Sequence, residues 1–423
     1  MAALLMVFGV IAEAAGPAAA RPRLVSTRSF ADPSILPFRG GYFGISTGDD
    51  APGAWAPRAD GPWQGTGPAL VRVPGWAANA GVWAADATRI GDRYVMYYSV
   101  PVRGLGREGR CIGAAVARSP LQKFVPVPGD RPLVCPGAAT ARRAPDGVRT
   151  RASRLPRRGV IDPSVLHLGS RHYLLYKTQG TPATIRIVRL GRWGLTTRGR
   201  SRQLLQTGDI SENPVITRHG HSYYLFTSEG YFAGCGYSTT WRRSSSLFSW
   251  QRSRQHSLLR TRSTGICGPG GADVVQRSGR RNLVFFHGWV CGASHACSTH
   301  GAEHNPTARR GLYAGRLVFR GGKPHVTQLD PPHRAKRHHP KKRGHAKRHH
   351  PKRHKRHAKH GKHAKSHLKR KHRTTHHKKR TKRIRRHATR RHHAVKRHVT
   401  RKRHAKRPTR RHTTKRHTRR RRR

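Results

Sequence analysis

The sequence predicts an all-β fold, a five-bladed β-propeller followed by a disordered basic tail, and three observations carry the prediction. Five stretches share one plan: an acid, a few β-branched or apolar residues, a turn containing Gly or charge, then an aromatic strand. Their leading acids, Asp32, Asp86, Asp162, Glu212 and Asp273, stand 50 to 76 residues apart, the range of one four-stranded blade with variable loops. Beyond Asp330 the chain has 44 Lys and Arg in 93 residues and no Asp, Glu, Phe, Trp or Tyr. Such a segment cannot bury enough apolar surface to offset its ordering entropy.

Taken in order, residues 1–20 open apolar from Ala3 to Ile11 and close on Ala18-Ala19-Ala20, the pattern of a secretory signal with its cleavage region. The run lacks a basic start, is interrupted by Glu13 and is too short to span a bilayer. Residues 21–330 form the propeller, with hairpins expected at 32–46, 86–99, 162–178, 212–228 and 273–289. Further strands follow, for instance Cys111–Ser119 and Tyr313–Phe319. No long amphipathic helix pattern competes. Residues 331–423 form the tail.

Six cysteines fit an exported, oxidised chain. Cys111 with Cys135, Cys235 with Cys267, and Cys291 with Cys297 close the shortest loops, although six cysteines allow 15 pairings. No Cys-x-x-Cys pair marks a metal site.

In a propeller the innermost strands converge on a central channel, so acids at matching blade positions meet in space while lying far apart in sequence. Carboxylates are scarce, 17 in 423 residues, and five at matching places in a repeat point to a site. Asp32, Asp162 and Glu212 stand in the related contexts Asp32-Pro33-Ser34, Asp162-Pro163-Ser164 and Glu212-Asn213-Pro214.

Several motifs, in order, carry a family resemblance: the Asp-Pro-Ser start, Trp83-Ala84-Ala85-Asp86, Cys111-Ile112-Gly113-Ala114-Ala115, Gly159-Val160-Ile161-Asp162-Pro163-Ser164, Glu212-Asn213-Pro214, Gly268-Pro269-Gly270-Gly271-Ala272-Asp273 and Phe286-His287-Gly288-Trp289. Over most of residues 30–326 the chain resembles glycoside hydrolase family 43, inverting enzymes on five-bladed propellers that act on arabinose- or xylose-containing polysaccharides. The resemblance implies Asp32 as general base, Glu212 as general acid and Asp162 as the residue that orients the acid and tunes its proton affinity. Inversion needs a charged carboxylate for the water and a protonated one for the leaving oxygen, roughly 6.5–9.5 Å apart.

A pentose ring offers an apolar face, so aromatic platforms are expected. Phe43, Trp83, Asp86, Trp289 and Arg310 are the candidates for sugar contact, with Tyr42 a further aromatic. No cofactor is required. Gly271-Ala272 stands where many arabinan-cleaving relatives place a histidine near a central metal, which puts a calcium-type site in doubt without removing it, and no metal ligand is named.

The tail repeats units such as Lys347-Arg348-His349-His350-Pro351-Lys352 and holds 21 histidines. Its expected partner is an anionic polymer, whether cell wall, pectin or nucleic acid, bound through counterion release. The expectation is therefore a monomeric hydrolase, secreted or associated with the cell envelope, without a transmembrane segment. The alternative is a non-catalytic glycan-binding propeller made adhesive by the polycationic tail.

Overall fold

The computed structural model describes residues 21–78, 81–102, 105, 108–127, 131–136, 159–276, 282–294, 296–298 and 305–330. The expected signal segment and the basic tail lie outside them.

The chain enters through β1 (Arg23–Ser26) and then builds four-stranded antiparallel sheets in sequence. Blade I is β2 (Ser34–Phe38), β3 (Gly41–Ile45), β4 (Pro52–Ala56) and β5 (Gln64–Pro68). Blade II is β6 (Trp83–Ile90), β7 (Arg93–Pro101), β8 (Arg110–Ala117) and β9 (Val125–Pro126). Blade III is β10 (Val160–Leu168), β11 (Arg171–Thr178), β12 (Ala183–Leu190) and β13 (Thr197–Thr207). Blade IV is β14 (Ser211–His219), β15 (Ser222–Glu229), β16 (Ser238–Ser244) and β17 (His256–Leu259). A single helical turn, α1 (Thr261–Thr264), leads to blade V: β18 (Cys267–Val275), β19 (Asn282–Val290) and β20 (Arg309–Arg320), with β21 (Lys323–Thr327).

Blade V closes the ring. β1 pairs with the first part of β20 (Arg23 opposite Ala314) while β21 pairs with its second part (Arg320 opposite Lys323), so the outer position is shared between the two ends of the domain. The innermost strands β2, β6, β10, β14 and β18 pack side by side around the circuit, and β18 returns to β2.

The strands read as nearly continuous apolar runs because both faces of each sheet are buried. Neighbours alternate to opposite sides with period two. Tyr98 joins the cluster with Phe43, Met96 and Phe124 between blades I and II, whereas Tyr97 joins the one with Leu174 and Tyr176 between II and III. Leu175 and Trp250 fill the III–IV interface, Phe286 and Tyr313 the IV–V interface, Phe285 and Trp63 the V–I interface. Five interfaces make five cores. Three disulfides join Cys111 to Cys135, Cys235 to Cys267 and Cys291 to Cys297, the short-loop pairings.

The leading acids do not occupy one matching position, contrary to the sequence expectation. Four of the inner strands, β6, β10, β14 and β18, carry a bulge at their start. At or beside the bulge one residue takes a left-handed conformation: Ala84 (φ 41°), Asp162 (φ 56°), Asn213 (φ 47°) and Gly271 (φ 61°), with Asp32 (φ 49°) at the same place before β2. Only Asp32 and Asp162 are acids in that register. Glu212 stands one residue before it, and Asp86 and Asp273 stand two after. The offset sends these side chains to different depths of the channel.

Candidate active site

Bulges re-aim side chains and tolerate left-handed backbone best at Gly, Asn and Asp. Here the starts of β6, β10 and β14, with the left-handed turn at Asp32, face one pocket of about 360 Å³, whose walls include Asp32, Trp83, Asp162, Lys177, Glu212 and Arg310. The three carboxyl groups expected to act together are thus brought together, each from a different blade, and each sits in a different environment.

Asp32 accepts a hydrogen bond from Thr47 Oγ1 at 2.7 Å on Oδ2, and Arg310 Nη1 lies 3.6 Å from Oδ1. Its backbone N–H donates to His287 Nδ1 at 3.0 Å. That bond requires the ring nitrogen to be bare, and burial pushes His287 down to about 3, so the ring is neutral. Burial works against the Asp32 charge, but the Arg310 guanidinium and the hydrogen bonds from Thr47 and Asn213 outweigh it and hold the carboxyl below the usual range.

Asp162 is pushed the other way. Burial, then the charge of Glu212, raise it to about 7 against the pull of Lys177. Its Oδ2 accepts the Asn213 backbone N–H at 3.0 Å, which ties the bulge of blade IV to blade III. Glu212 is clamped at both oxygens: Lys177 Nζ lies 2.6 Å from Oε2 and the Tyr237 hydroxyl 2.9 Å from Oε1. Lys177 is buried on β11, where its charge is met by Glu212 first and Asp162 second.

The expected sugar contacts divide. Trp83 lines the pocket, its ring backed by Arg110, whose guanidinium carbon lies 3.1 Å from the ring centroid. Arg310 lines it beside Asp32. Trp289 stands behind the rim, donating Nε1–H to the Phe232 carbonyl at 2.9 Å. Phe43 and Tyr42 do not belong to the site: Phe43 is buried between blades I and II and Tyr42 between V and I, because β3 lies one strand out from the channel. Asp86 lies deeper than the pocket, its Oδ1 accepting from Ser34 Oγ at 2.7 Å and its Oδ2 from the Val165 N–H at 2.8 Å. Asp273 likewise accepts the Ile35 N–H at 2.6 Å. Both are latches between blades, and burial pushes them up to about 6 and about 7.

Sequence reasoning missed Thr47, Lys177, Asn213, Tyr237 and the rim aromatics Tyr231 and Phe232. The last two are 51% and 43% exposed on the β15–β16 loop, available to a ligand. Lys177 did carry a signal, since it is one of three lysines before the tail and interrupts an apolar strand. Tyr237 carried none.

Among the described residues no three His, Cys, Asp or Glu side chains converge to hold a metal ion. A Cβ at Gly271 would lie 2.6 Å from His287 Nδ1, and Asp86 and Asp273 already spend oxygens on neighbouring blades. No helix of the described residues is long and apolar enough to cross a membrane.

Residues 22–309 match the family described as Glycosyl hydrolases family 43. Solved structures share the fold at low identity. A thermostable family-43 glycoside hydrolase is 17% identical with a TM-score of 0.56, covering 72% of this chain and 98% of its own. An exo-1,5-α-L-arabinanase from a bovine ruminal metagenomic library is 19% identical with a TM-score of 0.53, covering 70% and 96%. An endo-arabinase from Bacteroides thetaiotaomicron VPI-5482 is 16% identical with a TM-score of 0.53, covering 73% and 100%. No curated protein matches the sequence.

Proposed function

The chain belongs to glycosyl hydrolase family 43 and is a glycoside hydrolase, and on that premise we propose that it cleaves arabinose- or xylose-containing polysaccharides or oligosaccharides with inversion at the anomeric carbon. One observation carries the reading: carboxyl groups from three blades face one pocket in opposed electrostatic settings, Asp32 held charged and Asp162 held toward its neutral form.

In this mechanism Asp32, kept ionised by Arg310, Thr47 and Asn213, takes a proton from water as that water attacks the anomeric carbon. Glu212 gives its proton to the departing glycosidic oxygen as the carbon–oxygen bond breaks. Asp162 acts through Asn213, whose backbone N–H it holds, and so fixes the bulge on which Glu212 stands. Arg310 also restrains the base, and Trp83, with Phe232 at the rim, supplies the apolar surface for a sugar ring.

The test is hydrolysis of aryl α-L-arabinofuranoside, aryl β-D-xyloside, debranched arabinan and arabinoxylan. Asp32→Ala and Glu212→Gln are each expected to lose about 10²–10⁴-fold in rate, the range for general acid–base groups. Proton NMR of the first product formed is expected to show the inverted anomer. Undiminished hydrolysis in both variants rejects the assignment.

Export and tethering belong to the same proposal. Three disulfides favour an oxidising compartment, and the basic tail is read as a tether to an anionic polymer such as pectin. Sedimentation of the monomeric enzyme with polygalacturonate is expected to weaken steeply with salt. Salt-independent retention rejects the tether.

A further inference from the structure

The Tyr237 hydroxyl has one proton and two acceptors within reach, Glu212 Oε1 at 2.9 Å and Asn213 Oδ1 at 2.8 Å. The Asn213 amide decides between them. Its Oδ1 is the atom turned to Tyr237, at 2.8 Å. A carbonyl oxygen can only accept. If Tyr237 donated to Glu212 instead, two oxygens would face each other at 2.8 Å with no proton between them, a repulsive contact rather than a hydrogen bond.

Tyr237 therefore donates to Asn213, and its contact with Oε1 is a hydrogen bond only when the proton belongs to Glu212. On the other oxygen Lys177 is a donor at 2.6 Å, so Oε2 is the accepting side. The geometry points to Asn213 and Tyr237 as a positioning relay that places the proton of Glu212 on Oε1. It rests on the reading of Glu212 as the acid. Both are positioning residues that act through Glu212, Tyr237 at its Oε1 and Asn213 through Tyr237.

The relay is held from several sides. Tyr237 is buried and lies parallel to the neutral His287 ring at 5.7 Å, and a Cβ at Gly270 would strike it at 2.1 Å. The Ser228 hydroxyl accepts the Gly271 N–H at 2.8 Å. The charged or titratable groups around the relay are Lys177 from β11, Asp162 from β10, Asp32 before β2 and His287 from β19. Burial, and after it the neighbouring carboxylates, oppose loss of the phenolic proton, so Tyr237 stays a neutral hydroxyl.

The test uses the full chain labelled with ¹³C at glutamate carboxyls; it has five glutamates, and Glu212→Gln assigns the signal. Against wild type, Tyr237→Phe and Asn213→Gly are expected to release the Glu212 proton at lower pH by about one unit, the tenfold in proton affinity that one hydrogen bond is worth. Lys177→Met is expected to move it higher. The alkaline limb of kcat/KM is expected to move with the same signs. Glycine suits the left-handed backbone at Asn213, so two independent variants probe the relay. A rise, or no movement, in both Tyr237→Phe and Asn213→Gly overturns it. If wild type hydrolyses none of the glycosides the functional reading falls, while the titration still decides the relay.

Discussion

At the scale of single residues the site is built from differences in environment between like groups. Trp83 and Phe43 were equal as aromatic candidates in the sequence, and their surroundings separate them. Trp83→Ala removes a pocket wall and is expected to raise KM about tenfold with a smaller change in kcat, read from steady-state kinetics on an aryl glycoside. Phe43→Ala opens a cavity between blades I and II and is expected to cost about 3–5 kcal/mol in urea unfolding while leaving the KM of the folded fraction unchanged. The three carboxylates that share the pocket stood out in the sequence because Asp-Pro-Ser recurs at 32–34 and 162–164 and Glu212-Asn213-Pro214 is a related context. Their partners did not. A hydroxyl such as Thr47 or Tyr237 becomes part of a site only when a bulge elsewhere turns a carboxyl toward it, and nothing local marks that event.

At the scale of elements, the alternating apolar pattern exposed every inner hairpin, since two buried faces leave nearly unbroken runs of Val, Leu, Tyr and Phe. The bulges stayed hidden, because a shift of one residue in the ladder leaves composition unchanged but sends side chains to the other face. That is why Glu212, Asp86 and Asp273 fall outside the register of Asp32 and Asp162. The closure was also hidden: β1 is four residues long, and its role depends on finding β20 almost 290 residues later. Removing it makes a quantitative test. A chain starting after Ser26 loses the pairing of Arg23, Leu24 and Ser26 with β20 and uncovers Val25 and Leu24, which pack on the blade V–I and IV–V cores. Two half-buried aliphatic side chains and a few hydrogen bonds are worth on the order of 2–4 kcal/mol. Urea unfolding is expected to show a lower midpoint with similar cooperativity. An unchanged midpoint means that blade V is held by β21 alone.

At the scale of the whole molecule, five strands meeting at one axis force acidic side chains into a shared buried channel. Asp273 lies there, its Oδ2 accepting from Ile35, with burial and the charge of Asp86 pushing it up to about 7. The folded state therefore binds its proton more tightly than the unfolded chain, whose carboxyl titrates near 3.8. Where the native state holds more protons, stability falls as pH rises. Asp273 thus favours the fold most below about 4, loses that advantage progressively to about 7, and changes nothing further above it. His287, pushed down to about 3, works in the opposite sense, since its burial costs stability as pH falls through its unfolded value of 6.5. The total pH profile mixes these effects, but a difference between variants isolates one. Asparagine keeps an oxygen to accept the Ile35 N–H and removes the titration. The stability of Asp273→Asn relative to wild type is therefore expected to climb between pH 4 and 7, by up to roughly 4 kcal/mol, and to level off beyond. Urea unfolding at a series of pH values reads it directly. A difference that stays flat, or falls, across that window would mean that Asp273 is ionised in the folded channel and that the latch to Ile35 carries a charge.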